Sequence, residues 1–246
     1  MIEFYVLASG SKGNSTIIKI DDNTSILIDS GLSYEDFLRR LDNTNVKVDT
    51  IKYVFITHNH IDHVKSIFKW NNAIIYSLEG TMPGLNYNIL EPFKLYNFGS
   101  FSVMPFKVSH DAPNPCGYQF ILNNETLVYM TDTGDIPQDS IKYLSNQTYY
   151  IIESNHDSRM LLSSKRPEDL KLRILSDHGH LSNDMTSAYL SILIGENTKE
   201  IVFAHISEEC NCDDSILKSY KKFVGKTKYY DNIQIKLARQ NEVVKG

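Results

Sequence analysis

The sequence is poor in cysteine. Among its 246 residues there are only three, Cys116, Cys210 and Cys212. An odd, unevenly spaced set does not form a disulfide framework, so it favours a reducing compartment. The pair Cys210-x-Cys212 leaves a metal site open as an alternative, although no second pair is present to complete it.

Long apolar runs are also missing. No stretch reaches the roughly 18 apolar residues of a membrane span, and Met1-Ile2-Glu3 lacks the basic flank of a secretory signal. No low-complexity segment or flexible linker interrupts the chain. With 41% hydrophobic residues, the chain has enough apolar material for a substantial core. We therefore expect a soluble, cytoplasmic protein without membrane contact, folded as a single domain over residues 1–246.

An excess of basic residues is the third absence. The chain has 25 Lys and Arg against 30 Asp and Glu, giving a formal charge of -5. This balance excludes a nucleic-acid-binding protein that is basic over its whole surface. It leaves room for a local positive cleft, especially one that contains metal ions.

The most informative feature that is present is the histidine-rich stretch at 57–63. It reads Thr57-His58-Asn59-His60-Ile61-Asp62-His63 and follows an apolar run. In an extended segment the alternate residues His58 and His60 point to one side, whereas Asp62 and His63 open the next turn. Imidazole and carboxylate ligands suit zinc, manganese or iron. We predict that these three histidines and Asp62 bind metal.

The rest of the chain alternates between short strands and helices. Runs rich in β-branched and aromatic residues predict strands at 2–8, 15–20, 25–29, 51–56, 101–108, 117–122, 126–131, 148–153 and 200–204. Helices are predicted at 62–70, 167–175 and 183–194, and Ser33 with Asp36 is typical of another helix start.

Metal-capable side chains recur where predicted strands end. His110, Asp132 and His205 each follow an apolar strand, as His58 does. Strands of two packed sheets with helices outside bring their ends to one edge, where a cleft forms. The sequence therefore predicts the fold class α/β, as a four-layer αββα sandwich, with His110, Asp132 and His205 as further metal ligands. For a single histidine the usual alternative is a solvated structural residue, and for Asp132 it is a helix N-cap before Pro137.

Two neighbouring divalent ions, bridged by a carboxylate and a hydroxide, produce a nucleophile at neutral pH. Asp132 is the candidate bridging carboxylate, because Thr133-Gly134 behind it permits a tight turn. Phosphodiester hydrolysis fits such a centre.

Eight short motifs carry a family resemblance over nearly the whole chain. They are Ser9-Gly10-Ser11-Lys12-Gly13-Asn14-Ser15, Asp29-Ser30-Gly31, the stretch from Thr57 to Val64, Ser109-His110-Asp111-Ala112, Thr131-Asp132-Thr133-Gly134, Glu153-Ser154-Asn155-His156-Asp157, Gly179-His180-Leu181-Ser182-Asn183 and Ala204-His205-Ile206-Ser207-Glu208. With these motifs the sequence resembles the metallo-β-lactamase fold superfamily, and within it the YycJ/WalJ-type group of metal-dependent exonucleases.

The resemblance implies a ligand set and two catalytic residues. It implies a first ion on His58, His60 and His110, a second ion on Asp62, His63 and His205, and Asp132 between them, with zinc or manganese as the two cofactor ions. The implied catalytic residues are His180, which protonates the leaving oxygen or stabilises its charge, and Asp62. For His180 the alternative is a contact at a helix start ahead of Ser182. Asp29 is expected to support a ligand histidine, whereas His156, Asp157 and His178 receive no role.

The resemblance also implies the function: a DNA exonuclease, acting 5′ to 3′ through a metal-bound hydroxide. DNA would then be held by the loops at 9–14 and 80–94 and by lysines near the C-terminus, namely Lys218, Lys221, Lys222, Lys226 and Lys228. A second cationic set, Lys165, Arg166, Lys171 and Arg173, is either a phosphate-binding patch or a solvated helix face. Two other functions stay open: a hydrolase of a lactone, thioester or cyclic phosphodiester, and a non-catalytic interaction module.

Overall fold

The computed structural model describes residues 1–246. Fourteen strands are distributed over two mixed sheets of seven strands each. The strands are β1 Glu3–Ala8, β2 Ser15–Lys19, β3 Ser25–Ile28, β4 Ile51–Phe55, β5 Ile74–Leu78, β6 Asn88–Leu90, β7 Tyr96–Asn97, β8 Ser102–Lys107, β9 Cys116–Leu122, β10 Glu125–Met130, β11 Tyr149–Glu153, β12 Glu200–Ala204, β13 Gln234–Leu237 and β14 Val244–Lys245. The helices are α1 Tyr34–Leu41, α2 Ile61–Val64, α3 Gln138–Leu144, α4 Ser158–Ser163, α5 Glu168–Leu175, α6 Asn183–Leu193 and α7 Asp213–Val224.

The chain divides into two compact units. Unit 1 comprises Met1–Lys107, Ala112–Thr126 and Ala238–Gly246, and unit 2 comprises Val108–Asp111 and Leu127–Leu237. The single domain expected from the sequence stays a prediction.

Unit 1 contains one complete sheet, in the order β14-β1-β2-β3-β4-β5-β6. The pairs from β14 to β3 are antiparallel, and the pairs from β3 to β6 are parallel. Helix α1 lies in the first parallel crossover. As predicted, Ser33 caps it by accepting a hydrogen bond from the Asp36 backbone, and Phe37 is buried against Trp70 at 4.9 Å between ring centroids.

Strands β7, β8 and β9 form an antiparallel ribbon in the same unit. An aromatic layer joins this ribbon to the first sheet, since Phe55 of β4 packs against Tyr118 and Phe120 of β9 with ring centroids 5.4 Å apart in each case. Asn123 and Asn124, which follow β9, both adopt positive φ angles and form the tight turn between β9 and β10.

Unit 2 is built on the parallel strands β10 to β13 with α3 to α7 around them. Strands β11 and β12, in the middle of this group, are fully buried, as is typical of parallel strands covered on both faces. Because the strands are parallel, their carboxyl ends lie at one edge of the sheet. Asp132, Glu153 and His205 all lie at this edge.

One predicted helix differs in the structure, and several elements are additional to the predicted ones. The helix predicted at 62–70 is broken into α2 and a short 3-10 turn at Ile67–Lys69, because the Ser66 backbone N–H donates to Ser30 instead of continuing the helix. Strands β5, β6, β7, β13 and β14 and helices α3, α4 and α7 were not predicted. None of the helices has the length and apolar character needed to span a bilayer.

The three cysteines form no disulfide. Cys210 is buried in an apolar cluster with Leu161 and Ile174. This packing accounts for Cys210 without the metal site that the Cys210-x-Cys212 pair left open.

Candidate active site

In unit 1 the histidine-rich stretch folds into a compact group of imidazoles. The ring of His58 lies 4.6 Å from that of His60 and 4.0 Å from that of His63, measured between centroids. Asp62 places a carboxylate oxygen 3.7 Å from Nε2 of His63. His58 and His63 are buried, whereas His60 and Asp62 are partly exposed. The four ligands predicted from this stretch therefore lie together.

A buried carboxylate sets the tautomer of His63. Asp29 accepts hydrogen bonds from the Thr57 backbone N–H at 2.9 Å and from Nδ1 of His63 at 2.8 Å. Because an ionised carboxylate only accepts, Nδ1 of His63 carries the proton and Nε2 keeps its lone pair. The support of a histidine by Asp29, expected from the sequence, is present as this hydrogen bond.

Backbone hydrogen bonds and close packing hold α2, which carries Asp62 and His63, in position. The backbone N–H of Asn14 donates to the Asp62 carbonyl at 2.7 Å, and that of Ser30 donates to the His63 carbonyl at 2.7 Å. A Cβ atom on Gly31 would lie 1.6 Å from the Asp62 carbonyl oxygen. Only glycine fits at this crossing, which explains the Asp29-Ser30-Gly31 motif.

In unit 2 four side chains converge at the carboxyl edge of the parallel sheet. One ligand atom from each of Asp132, Glu153, His180 and His205 lies within 4.8 Å of the others. The carboxylate oxygen Oδ1 of Asp132 is 3.4 Å from Nε2 of His205, 3.8 Å from Nδ1 of His180 and 3.9 Å from Nε2 of His110. Asp132 is thus the centre of the group, and the remaining predicted site residues of this unit surround it.

Glu153 is the residue that sequence reasoning missed. Its Oε1 accepts from Nδ1 of His180 at 2.7 Å and from Nδ1 of His205 at 2.9 Å. Its Oε2 accepts the backbone N–H groups of Thr133 at 3.0 Å and Leu181 at 3.2 Å. The side chain is fully buried. Both imidazoles are therefore protonated at Nδ1, and their Nε2 atoms are the basic nitrogens.

Burial alone would raise the pKa of Glu153, but the two histidines outweigh it and hold that pKa below its ordinary value. The carboxylate is therefore ionised at neutral pH. The sequence did contain a signal for Glu153. It is the last residue of a predicted strand, close to the positions that His58 and His205 occupy relative to their strands, and it is the first residue of the Glu-Ser-Asn-His-Asp motif.

His110 is held in the form that a metal ligand needs. Burial lowers its pKa despite the nearby Asp132, so its imidazole is neutral at pH 7. Its Nδ1 lies 3.2 Å from the Gly179 carbonyl oxygen, which can only accept. Nδ1 consequently carries the proton, and Nε2 lies 3.4 Å from Asp111 and 3.9 Å from Asp132.

Three residues of these groups have unusual backbone conformations. Asp29, Asp132 and His205 have φ angles of 59°, 56° and 50°, in the left-handed region that non-glycine residues rarely adopt. Each comes one or two residues after a strand. Such conformations cost on the order of 1–3 kcal/mol and persist where the surroundings impose them, typically at functional sites.

Neither Asp132 nor His180 has the helix-capping role that the sequence left open. Helix α3 has Pro137 at its N-cap, so Asp132 is not a helix cap. Helix α6 is capped by the side chain of Ser182 itself, and His180 contacts Glu153 instead. His178 is exposed, and its Nδ1 lies 3.0 Å from the Ser109 hydroxyl.

The predicted phosphate-binding patch on α5 and its flank is largely paired within the protein. Lys171 is buried and donates to the Leu162 carbonyl and to Glu168. Arg166 pairs with Glu209, and Arg173 pairs with Asp111. Three of its four cations are therefore engaged by protein groups.

The residues of both units fit a divalent cation. Each unit presents imidazole and carboxylate donors, several of them buried. His63, His110 and His205 are protonated at Nδ1, so each keeps an Nε2 lone pair, and that of His63 lies 2.9 Å from the Asn14 side-chain amide. This is the ordinary donor set for zinc or manganese, with hydrogen-bonded carboxylates behind the histidines.

We expect Glu153→Gln to destabilise the protein. In either orientation the new amide NH₂ group faces two buried donors, Nδ1–H of His180 and His205 or the N–H groups of Thr133 and Leu181. Removing one partner from a buried charged network costs about 3–5 kcal/mol. Denaturant unfolding measures the change, with the exposed Glu79→Gln as the matched control. A Glu153→Gln protein as stable as the control would contradict this account of the network.

The chain is similar to known proteins in both sequence and structure. The metallo-beta-lactamase superfamily profile matches residues 8–95. Over 224 residues the chain is 33% identical to exodeoxyribonuclease WalJ of Streptococcus pneumoniae, covering 85% of this chain and 83% of the relative. It is 32% identical over 225 residues to exodeoxyribonuclease YycJ of Bacillus anthracis, covering 85% and 84%.

Among solved structures, the metallo-beta-lactamase fold protein YhfI from Bacillus subtilis superposes with a TM-score of 0.73 at 16% identity, covering 100% of this chain and 99% of that one. Two mixed sheets with flanking helices are the α/β sandwich of this fold, so the predicted fold class is confirmed. The chain belongs to the metallo-β-lactamase superfamily and, within it, to the family of the exodeoxyribonucleases WalJ and YycJ. The family and the His/Asp clusters together indicate divalent-metal binding.

Proposed function

We propose that this protein is a metal-dependent exonuclease that hydrolyses the phosphodiesters of DNA, removing nucleotides in the 5′ to 3′ direction. The observation that carries the proposal is the similarity to two exodeoxyribonucleases over 85% of the chain. The imidazole and carboxylate groups at the strand ends support it, because phosphodiester hydrolysis at neutral pH needs such a cation-binding centre.

Two divalent ions, zinc or manganese, are proposed as the cofactors. His58, His60 and His110 would hold one ion, and Asp62, His63 and His205 would hold the other. Asp132 would serve both. The proposal is supported by the fixed Nδ1 protonation of His63, His110 and His205, each of which keeps an Nε2 lone pair. When bound, such ions lower the pKa of a water and offset the charge on the attacked phosphate.

Residues of the chain itself are proposed to donate the proton and to orient the water. Attack by water on phosphorus breaks the bond to the leaving oxygen, which needs a proton. His180 is the proposed donor, because its Nδ1 is hydrogen-bonded to the buried Glu153, which leaves Nε2 as the ring nitrogen that can pass a proton to the leaving oxygen. Asp62 is the second proposed catalytic residue. Its carboxylate is partly exposed, and it would both bind metal and orient the attacking water.

The proposed substrate is DNA, and the proposed location is the cytoplasm. Three cysteines without a disulfide support a reducing compartment. No membrane partner is proposed.

The test uses the purified full chain with Mn²⁺ and DNA duplexes labelled at the 5′ or the 3′ end. We expect mononucleotides to be released from 5′ ends first, and we expect a chelator to stop the release until Mn²⁺ is restored. A panel of lactone, thioester and cyclic phosphodiester substrates is assayed in parallel. Cleavage of one of these without release of nucleotides would replace the nuclease with a small-molecule hydrolase. Inactivity of the metal-loaded protein on every substrate would favour an interaction module.

A further inference from the structure

Two motifs that the proposed reaction uses only in part lead into one groove of unit 2. The Glu153–Asp157 motif ends at the start of α4, and the Gly179–Asn183 motif ends at the start of α6. A polar groove of about 360 Å³ lies there, with α7 on its other side. The side chains that line it are all polar or charged, and those used below are Asp157, Arg159, Asp184, Lys218 and Lys222.

The acidic groups of the groove are satisfied within the protein. Asp157 caps α4 by accepting from the backbone N–H groups of Arg159 at 2.9 Å and Met160 at 3.0 Å. Asp184 accepts from the Ser219 hydroxyl at 2.6 Å and from Lys222 at 2.7 Å. Lys222 is thereby neutralised as well.

Two cations of the groove are left over. The guanidinium of Arg159 and the ammonium of Lys218 are exposed, and neither forms an ion pair or a side-chain hydrogen bond. The three cations of the lining, Arg159, Lys218 and Lys222, outnumber its two acids, Asp157 and Asp184, by one. This net positive charge suits an anion with several oxygen atoms such as a phosphodiester.

An aromatic cavity adjoins the groove at Lys218, which lines both. The cavity has a volume of about 500 Å³, within the range of small-ligand sites. Tyr220 and Tyr230 form part of its wall and stack on each other, with centroids 5.4 Å apart and ring planes 28° apart. Lys221 and Asp231 also line the cavity, and their opposite charges offset each other. The positive charge of Lys218 is therefore the net charge of the lining.

We propose that the groove and the cavity form one binding tract for a single-stranded segment of the DNA substrate. Arg159 and Lys218 contact consecutive phosphates, and a base enters the cavity against Tyr230. This inference rests on the proposed nuclease function and specifies how the substrate is held. Cations that follow the backbone, beside aromatic rings that receive bases, are the usual means of binding single strands without sequence preference.

The chemistry favours a single strand over a duplex. A base can enter a cavity and stack on tyrosine only when it has left its own helical stack. A paired duplex would contact the two cations of the groove but leave the cavity unfilled. Single-stranded and double-stranded DNA are therefore expected to depend differently on Tyr230.

The experiment measures binding by fluorescence anisotropy in the metal-loaded full-length protein. The probe is a single-stranded oligonucleotide of about 20 residues with a phosphorothioate backbone that resists hydrolysis. For the double variant Arg159→Glu/Lys218→Glu we expect Kd to rise at least tenfold, and the slope of log K against log salt to flatten by about 1.4, roughly 0.7 for each lost phosphate contact. For Tyr230→Ala we expect Kd to rise roughly 5- to 150-fold for the single strand, the usual effect of losing one stacked base.

The control is Lys142→Glu, which reverses an exposed lysine that lies over its neighbour Tyr143 and lines neither the groove nor the cavity. Its Kd should stay within twofold of the wild type. Melting curves of every variant check that the fold is kept, and Tyr230→Phe, which keeps the ring, should restore single-strand binding.

The outcomes separate this inference from the function it rests on. If the wild type releases nucleotides from DNA while the groove and Tyr230 variants bind the single strand normally, the tract is overturned and the nuclease stands. If Tyr230→Ala weakens duplex and single strand equally, the single-strand assignment is overturned. If the wild type neither degrades nor binds DNA, the proposed function fails and the tract fails with it.

Discussion

Replacing Asp132 with alanine is expected to abolish DNA hydrolysis and to lower the bound-metal content. Its carboxylate lies within 3.9 Å of ring nitrogens of His110, His180 and His205, so it is the one anion this close to all three of these imidazoles. Without it, cations would meet a site with much less negative charge. We expect kcat/KM to fall by about four powers of ten or more, the usual scale when a whole catalytic unit is lost. End-labelled DNA and elemental analysis of the same protein sample measure the two effects.

Two further variants make the Asp132→Ala result specific. His58→Ala removes a proposed ligand from unit 1 and should give the same loss of activity. Asp139→Ala removes an exposed carboxylate from the first turn of α3 and should leave both activity and metal content as in the wild type. Full activity and full metal content in Asp132→Ala would move the reaction centre away from this carboxylate.

The sequence predicted the strand-end positions well because they depend on local patterns. Runs of β-branched and aromatic residues identify β4, β10 and β12, and a polar residue directly after such a run lies where the strand ends, whatever the rest of the fold does. The Ser33 cap of α1 is equally local, since the donor and the acceptor are three residues apart. These predictions required no knowledge of which strands are neighbours.

Glu153 required that knowledge. Its function follows from the parallel register of β11 with β10 and β12. This register brings hydrogen-bond donors of Thr133, His180 and His205 to its two carboxylate oxygens. Sequence separation gives no indication of those contacts, and an acidic residue at a strand end is ordinary. The same limit applies to Lys171, which reads as a surface cation in the helical pattern but is buried and paired.

The break after α2 has a similar origin. Residues 62–70 have a helical apolar pattern, yet Ser66 bonds to Ser30, which lies 36 positions away. These tertiary hydrogen bonds between Ser66 and Ser30 thus override the local preference. It also keeps α2 short, so that Asp62 and His63 stay next to the turn at Gly31.

Replacing His180 with alanine is expected to reduce kcat by roughly two to four powers of ten while leaving the metal content unchanged, as is typical when a general acid is lost. The reason is geometric: His180 is held through Nδ1 by Glu153, and its ring is more exposed than that of His205, at 19% against 2% of the side-chain surface. His205 is thus enclosed as a ligand would be, and His180 can reach a substrate. Steady-state kinetics on DNA and elemental analysis test both halves of the prediction.

The matched control for His180→Ala is His178→Ala, two positions away and bonded to Ser109 rather than to Glu153. Its kcat should stay within a few-fold of the wild type.

A double variant tests whether Glu153 and His180 act together. If Glu153 holds His180 in place as the proton donor, Glu153→Gln/His180→Ala should lose less activity than the sum of the two single losses, because both substitutions impair the same proton donor. Additive losses would separate the two residues, and metal loss in His180→Ala would place His180 among the ligands instead.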